Sequence, residues 1–379
     1  MITENTFRNM AQPMISASER LTLSALSRVR AFAIRASTQP KTLTAFELQV
    51  LASVQSDLAQ FGRDIRSFSD TQIAEAYIRG IQDANGTFSR SGVQPNPSPI
   101  PGRQIFASTP AEATPTAIRM LTQAGYGSHA GYVGAFQQAI INQSAVMQMT
   151  ILRDVRDVVR RIGIEAGRAQ FLEADVLTRR GFTRDIVNRF ANEGIAGVRY
   201  ANGAMMPVES YSEMLSRTML GNASSQATLN RTAELGGDLI RTSVHARCSP
   251  MCEPYQGNVY SLSGRSEQYP PFDEALDGGY KHPNCKHSES PYFPGVSEAI
   301  EPTADPLEDI LGDPITYEAE QQQRYYERGI RQWKRREAVA LTPEDEQRAK
   351  ERVSLWQGKQ REHLDVNPYL RRQYQREQI

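Results

Sequence analysis

This chain of 379 residues is poor in the residues that do covalent and metal chemistry: three cysteines, five histidines and two tryptophans. Three cysteines cannot all pair, which excludes the disulfide framework of small secreted domains. Lysine is also scarce: only six of the 43 basic residues are lysine, the rest arginine. Arginine favours fixed, bidentate contacts with carboxylates or phosphates over diffuse solvation. The 43 basic and 43 acidic side chains cancel, so no global field draws the chain to nucleic acid. No run approaches the ~18 consecutive apolar residues of a spanning helix, so no membrane association is expected. The start, Met1 to Asn5, shows no basic stretch leading into an apolar one, so the expectation is synthesis in a cytoplasm without an export signal. Phosphate-binding G-x-x-x-x-G-K-[ST], metalloprotease H-E-x-x-H and a serine nucleophile elbow are all absent, and no enzyme is expected.

What little cysteine and histidine there is lies together. All three cysteines and three of the five histidines fall between His245 and His287. One knot runs from His245 through Cys248 to Cys252, and the other is His282-Pro283-Asn284-Cys285-Lys286-His287. A C-x3-C pair followed by H-x2-C-x-H presents soft thiolate and imidazole ligands in two short pairs, the way structural zinc sites are built. The spacing selects Cys248, Cys252, His282 and Cys285 as zinc ligands, with His287 and His245 as reserves. A local Cys248–Cys252 disulfide would strand Cys285, and plain packing cysteines are the remaining alternative. Deaminase chemistry needs H-x-E beside the metal, whereas His245 is followed by Ala246 and Arg247. The site reads as structural.

The pattern along the chain predicts an α+β protein that is mostly helical. Residues 1–88 form a helical region, with a capping box at Thr44–Glu47 and a further cap at Asp70. Residues 89–109 are a Pro/Ser/Gly-rich linker, where four prolines in seven residues forbid a helix. Residues 110–236 return to helix, longest from about Gly131 to Ile162. They include a hairpin near 198–208, whose Asn202-Gly203 suits a type I′ turn. Two further helices are expected from about Tyr211 and from Ala223 to Gly236. Residues 237–295 are a loop-rich, zinc-braced module, with one strand at Asn258–Leu262. Such a segment buries little apolar area, so a metal cross-link would add needed stability. Residues 296–379 are an acidic segment followed by a basic helical tail, with helices at Tyr317–Glu337 and Glu344–Leu364. Both tryptophans, Trp333 and Trp356, lie in that tail. Its arginine face cannot be buried without partners, so the tail is expected to be exposed and to dock elsewhere, the alternative being that both tryptophans pack back onto the globular body.

Several motifs occur together in a fixed order. Tyr211–Thr218 leads to Gly236–His245, Tyr255–Gly264, Tyr269-Pro270, His282–Ser288 and Pro291–Gly295. They continue through Tyr317–Arg324, Glu327–Arg331, Trp333–Arg335, Trp356-Gln357 and Arg372–Tyr374. In this order the stretch 194–379 resembles the minor capsid protein 2 family of tailed bacteriophages, related to Mu F-like head morphogenesis proteins. Tyr255 stands where that family commonly has tryptophan, and Lys286 where it has arginine. The resemblance implies a structural, non-enzymatic virion protein inside the capsid near the portal. Such a protein assists assembly and the packaging, retention or ejection of DNA. The implied partners are the portal and other capsid proteins, with packaged double-stranded DNA as a further contact. Two other classes compete. One is a zinc-containing DNA-binding protein using Arg324, Arg328, Arg331, Lys334, Arg335 and Arg336 on phosphates. The other is an HNH-like nuclease built around His282–Cys285, which would need a histidine base outside the metal shell.

Overall fold

A computed structural model describes residues 4–39, 43–96, 105–106, 111–171, 175–245, 248–297 and 317–379. Most of the proline-rich linker and the acidic run from Glu298 to Asp313 lie outside the described residues. The fold is mostly helical with two small sheets, as the sequence pattern predicts. Three helices open it: α1 (Glu4–Thr38), α2 (Leu43–Phe68) and α3 (Ala74–Ser91). They are followed by α4 (Pro115–Gln123), α5 (Ala130–Phe171) and α6 (Val176–Glu193). Strands β1 (Ala196–Arg199) and β2 (Met205–Pro207) form a hairpin ahead of α7 (Val208–Glu234). Strands β3 (Leu239–Thr242), β4 (Val259–Ser261) and β5 (Glu289–Pro291) form an antiparallel sheet in the order β4-β3-β5, with the short α8 (Phe272–Asp277) between the last two in sequence. Helices α9 (Tyr317–Ala338) and α10 (Pro343–Asp365) close the chain.

Local chemistry explains many of the ends. Thr114, Asp175 and Thr342 cap α4, α6 and α10 by accepting from the backbone amide three residues on. Pro115 and Pro343 occupy the first helical turn, where a missing amide costs nothing. Gly92 and Gly194, both at positive φ, end α3 and α6.

Three local expectations are corrected. Helix α2 already begins at Leu43, so Thr44 lies inside it rather than at its cap. Asp70 does not start a new helix either, because a π turn over Ser69–Ile73 joins α2 to α3 without a break. The two helices expected between Tyr211 and Gly236 are one, as Gly221 sits inside α7 in helical conformation. The hairpin forms where expected, but only Gly203 takes a positive φ (84°). The Tyr200 amide reaches the Ala204 carbonyl and the Gly203 amide the Tyr200 carbonyl, so this loop is longer than the two-residue I′ turn.

The chain divides into two compact units, each drawn from three stretches. The first comprises residues 1–13, 66–142 and 213–317. Its helical core includes Ile73, Tyr77, Ile81, Leu121 and Phe136. Its second apolar cluster joins Leu229 of α7 to Ile240, Cys252, Tyr260, Phe272, Ala275 and Tyr280 around the three-stranded sheet. Helices α3 and α7 approach closely at Gly80, where a Cβ would stand 2.2 Å from the Ser224 carbonyl oxygen.

The second unit comprises residues 14–65, 143–212 and 318–379, and the C-terminal tail belongs to it. The tail is not a free arm. Arg335 is buried, with its Nε donating to the Ala191 carbonyl at 2.8 Å and its Nη1 3.8 Å from the Glu209 carboxylate. That carboxylate and those carbonyls are what allow a guanidinium inside. Arg331 donates to the Arg376 carbonyl. Trp356 packs over Gly329 and beside Tyr325 and Tyr326, and the guanidinium groups of Arg336 and Arg352 both lie against the Trp333 ring. Both tryptophans are thus engaged within their own unit.

The α3–α7 crossing generates a paired test. Gly80→Ala should destabilise the protein by about 2 kcal/mol or more, because backbone must shift to admit the methyl group. Gly221→Ala, whose Cβ would meet nothing within 4 Å, should instead stabilise by up to about 1 kcal/mol through helix propensity. Urea unfolding followed by circular dichroism measures both, and equal effects of the two substitutions would refute the close crossing.

Candidate metal centre

The site is assembled from loops at the edge of the three-stranded sheet. After β3, the chain turns through Ser249, whose carbonyl accepts from the amides of Cys252 and Glu253. After α8, two residues outside glycine adopt left-handed backbone, Lys281 (φ 62°) and Asn284 (φ 69°). They fold His282–Cys285 into a tight turn closed by the Cys285 amide on the His282 carbonyl at 2.9 Å. Non-glycine residues tolerate this conformation only when surroundings fix it. Here the Asn284 amide donates to Thr218 Oγ1 of α7, and Lys281 is anchored as described below.

These turns bring ligand atoms of Cys252, Cys285 and His287 within 4.8 Å of one another. Cys252 Sγ lies 3.5 Å from Cys285 Sγ, and Cys285 Sγ lies 3.3 Å from His287 Nδ1. With Zn–S near 2.3 Å and Zn–N near 2.0 Å, ligand atoms on a tetrahedron are separated by about 3.5–3.8 Å. The observed spacings are close to those edges. Cys248 reaches the cluster from its other side, with Sγ 3.5 Å from His287 Nε2. His245 stacks edge-on against His287 and meets Ser243 Oγ through Nε2. His282 faces the Pro283 carbonyl through Nδ1, and its buried Nε2 has no hydrogen-bond partner. The histidine drawn between the thiols is therefore His287, a reserve on spacing, and His282 is not among the mutually close atoms. The reason is the left-handed turn at Asn284, which the H-x2-C spacing does not reveal.

Electrostatics favour one thiolate in the cysteine pair. The hydrogen bond from Cys252 holds the Cys285 thiol far below its usual range, against burial, and His287 and Lys281 add to the effect. The same bond, with burial, pushes Cys252 up. Cys248 is pushed up to about 12 by burial and by the charge of Cys285. A cation placed among these sulfurs would reverse that order by stabilising every thiolate at once.

Lys281 was not legible as a functional residue. Its side chain is 4 % exposed, yet its ammonium donates to Ser225 Oγ at 2.7 Å and to the His287 carbonyl, and lies 3.2 Å from Glu289 Oε1. Tyr280 donates to the same carboxylate oxygen at 2.9 Å. One side chain thus links α7, His287 and strand β5. Nothing in the sequence signals this, since Lys281 and Glu289 form no recognisable spacing and only folding makes them neighbours.

A second buried polar chain lies in the first unit. The Gln226 amide donates to Asn230, Asn230 donates to the Tyr77 hydroxyl, Tyr77 meets His129 Nδ1 at 3.0 Å, and His129 Nε2 lies 2.7 Å from Glu234. All donors find acceptors when His129 is neutral with its proton on Nε2, so Tyr77 donates. Burial pushes Glu234 up, but His129 and Arg231 outweigh it and leave its carboxyl below the usual range. Burial pushes the Tyr77 hydroxyl up. Tyr77 is fully buried, so this resemblance to an acid–histidine–hydroxyl relay has no access to a substrate. Gln226 Oε1 also accepts from the amides of Ile105 and Phe106, pinning that part of the linker to α7.

Comparison with known proteins gives a family. Residues 97–365 match the model of "Phage minor capsid protein 2", and the chain belongs to that family. The match begins well before residue 194, where the resemblance carried by the ordered motifs begins. A protein of Lactococcus phage LL-H named "Structural protein" is 34 % identical over 149 residues, which is 36 % of this chain and 39 % of the relative. A protein of Lactococcus phage mv4 with the same name is 34 % identical over 119 residues, 29 % of this chain and 94 % of the relative. The chain thus spans under half of the first relative and nearly all of the second. No solved structure matches. Among the described residues, no helix is long and apolar enough to cross a membrane.

Lys281→Met should cost about 3–5 kcal/mol, because it leaves the Glu289 carboxylate buried without its counter-charge. Lys281→Met with Glu289→Gln should recover part of that loss. Equilibrium unfolding of the three proteins checks this, and a single variant as stable as the parent would show the pair to be dispensable.

Proposed function

We propose that this member of the phage minor capsid protein 2 family is a structural, non-catalytic component of a tailed-phage virion, held inside the head near the portal. There it assists head assembly and the packaging, retention or ejection of DNA. The family match over residues 97–365 is the observation that carries this reading, and the names of the two relatives support it. Its partners in this role are the portal and neighbouring capsid proteins. Exposed arginines such as Arg348 and Arg352 on α10 would meet the phosphates of packaged double-stranded DNA. Mass spectrometry of purified virions, before and after protease treatment of intact and opened particles, tests the placement. The protein should be present in few copies and protected until the head is opened. Its absence from washed virions, or digestion on intact particles, would end this reading.

The metal centre serves that role as a brace. We infer that Cys252, Cys285 and His287 hold one zinc ion, His287 through the Nδ1 that faces Cys285, while Cys248 meets the other ring nitrogen and stands outside that set. The convergence of two thiols and an imidazole at tetrahedral spacing supports this. The zinc would cross-link the loop after β3 to the loop after α8, adding to the apolar cluster around Ile240 and Tyr260 that already packs against them. Elemental analysis of reduced protein should find one zinc per chain. Cys252→Ser, Cys285→Ser and His287→Ala should each weaken zinc binding by more than about 100-fold, while His282→Ala should retain it. Metal loss from His282→Ala with retention in His287→Ala would overturn the ligand set.

A further inference from the structure

The two thiols nearest each other come from separate loops and are set 33 residues apart in sequence. Their sulfurs are 3.5 Å apart, whereas a disulfide needs about 2.05 Å. The sulfurs already face each other across one hydrogen bond, so the remaining approach is short. The third thiol does not compete for this bond, since Cys248 contacts His287 Nε2 on the opposite edge of the ring. Cys285 is partly exposed while Cys252 is buried, so Cys285 is the candidate for first attack on a reagent. That is the arrangement of an attacking and a resolving cysteine.

We propose that Cys252 and Cys285 form a reversible disulfide in exchange for the metal, so that the same two loops are cross-linked by zinc under reducing conditions and covalently under oxidising ones. This rests on the metal reading given above. The oxidant is a low-molecular-weight disulfide. The Cys285 thiolate attacks one of its sulfurs, forming a mixed disulfide and releasing one small thiolate. The Cys252 thiolate then attacks the Cys285 sulfur, forming the internal bond and releasing the second. Two protein thiolates are oxidised by two electrons, one small disulfide is reduced to two thiolates, and the zinc dication leaves because its two sulfur ligands are consumed. The exchange keeps the ends of one long loop together in either state, and both cross-links constrain the unfolded chain at the same point.

Full-length zinc-loaded protein is treated with oxidised glutathione, alongside metal-free reduced protein and a Cys248→Ser variant. Free thiols are counted after denaturation, released zinc is read with a chromogenic chelator, and the bond is located by peptide mapping. The expected result is loss of two of three thiols and release of one zinc per chain, with a Cys252–Cys285 link in the parent and in Cys248→Ser. Dithiothreitol with zinc should restore the starting state. Stable glutathione adducts, a bond to Cys248, or thiols unchanged in the metal-free protein would overturn the proposal. If the protein never holds zinc but the metal-free arm still forms the Cys252–Cys285 bond, the metal reading fails while the paired geometry stands. If zinc binds and no bond forms in either arm, the exchange alone fails.

Discussion

Lys281 carries its charge almost wholly out of water, and it can stay there only because Glu289 lies 3.2 Å away and Ser225 and the His287 carbonyl accept its remaining protons. Much of the module follows from that arrangement. The bond to the His287 carbonyl fixes a backbone whose side chain points both nitrogens at sulfur. The bond to Ser225 ties the loop to α7, and Glu289 ties it to the sheet. A buried ion pair is rarely a net gain over apolar packing, and its better-attested use is to specify one arrangement among several. Here the arrangement specified is a ligand loop held in left-handed backbone at both Lys281 and Asn284.

Helix α7 supplies the other half of the scaffold. Its buried face is unusually polar, with Ser224, Ser225, Gln226, Thr228, Asn230 and Thr232 all enclosed. Those with a long-range bond reach three parts of the chain: Gln226 the linker, Thr228 and Asn230 the Gly80 carbonyl and Tyr77 hydroxyl of α3, and Ser225 the Lys281 loop. Buried polar groups cost free energy unless satisfied, and a fully connected set fixes a unique packing. A scaffold of this kind suits a protein whose role is to hold a shape, and it needs no open catalytic position.

The sequence carried the helices and their ends well, because caps, prolines and positive-φ glycines act locally. Tyr317–Glu337 and Glu344–Leu364 were within a residue or two of α9 and α10 for that reason. Breaks inside long helices were over-read at Asp70 and between Tyr211 and Gly236, where tertiary packing carries the helix through weak local signals. The cysteine–histidine cluster was legible as a region, since scarce residues concentrated between His245 and His287. Which histidine stands between the thiols was not, because it depends on a backbone turn at Asn284. Nor was the tail's return onto its own unit legible. An arginine face looks solvated until Glu209 and the carbonyls of Ala191 and Asn192 are placed around Arg335.

The central claim is that a virion-borne protein keeps its loop-rich module in shape with zinc held by two or more thiolates and the His287 imidazole. Zinc-edge X-ray absorption on washed, purified virions addresses both parts at once. The account predicts zinc in the particle, in proportion to this protein, with a mixed shell of sulfur near 2.3 Å and nitrogen near 2.0 Å. A shell of oxygen and nitrogen alone, or particles that contain the protein and no zinc, would contradict it.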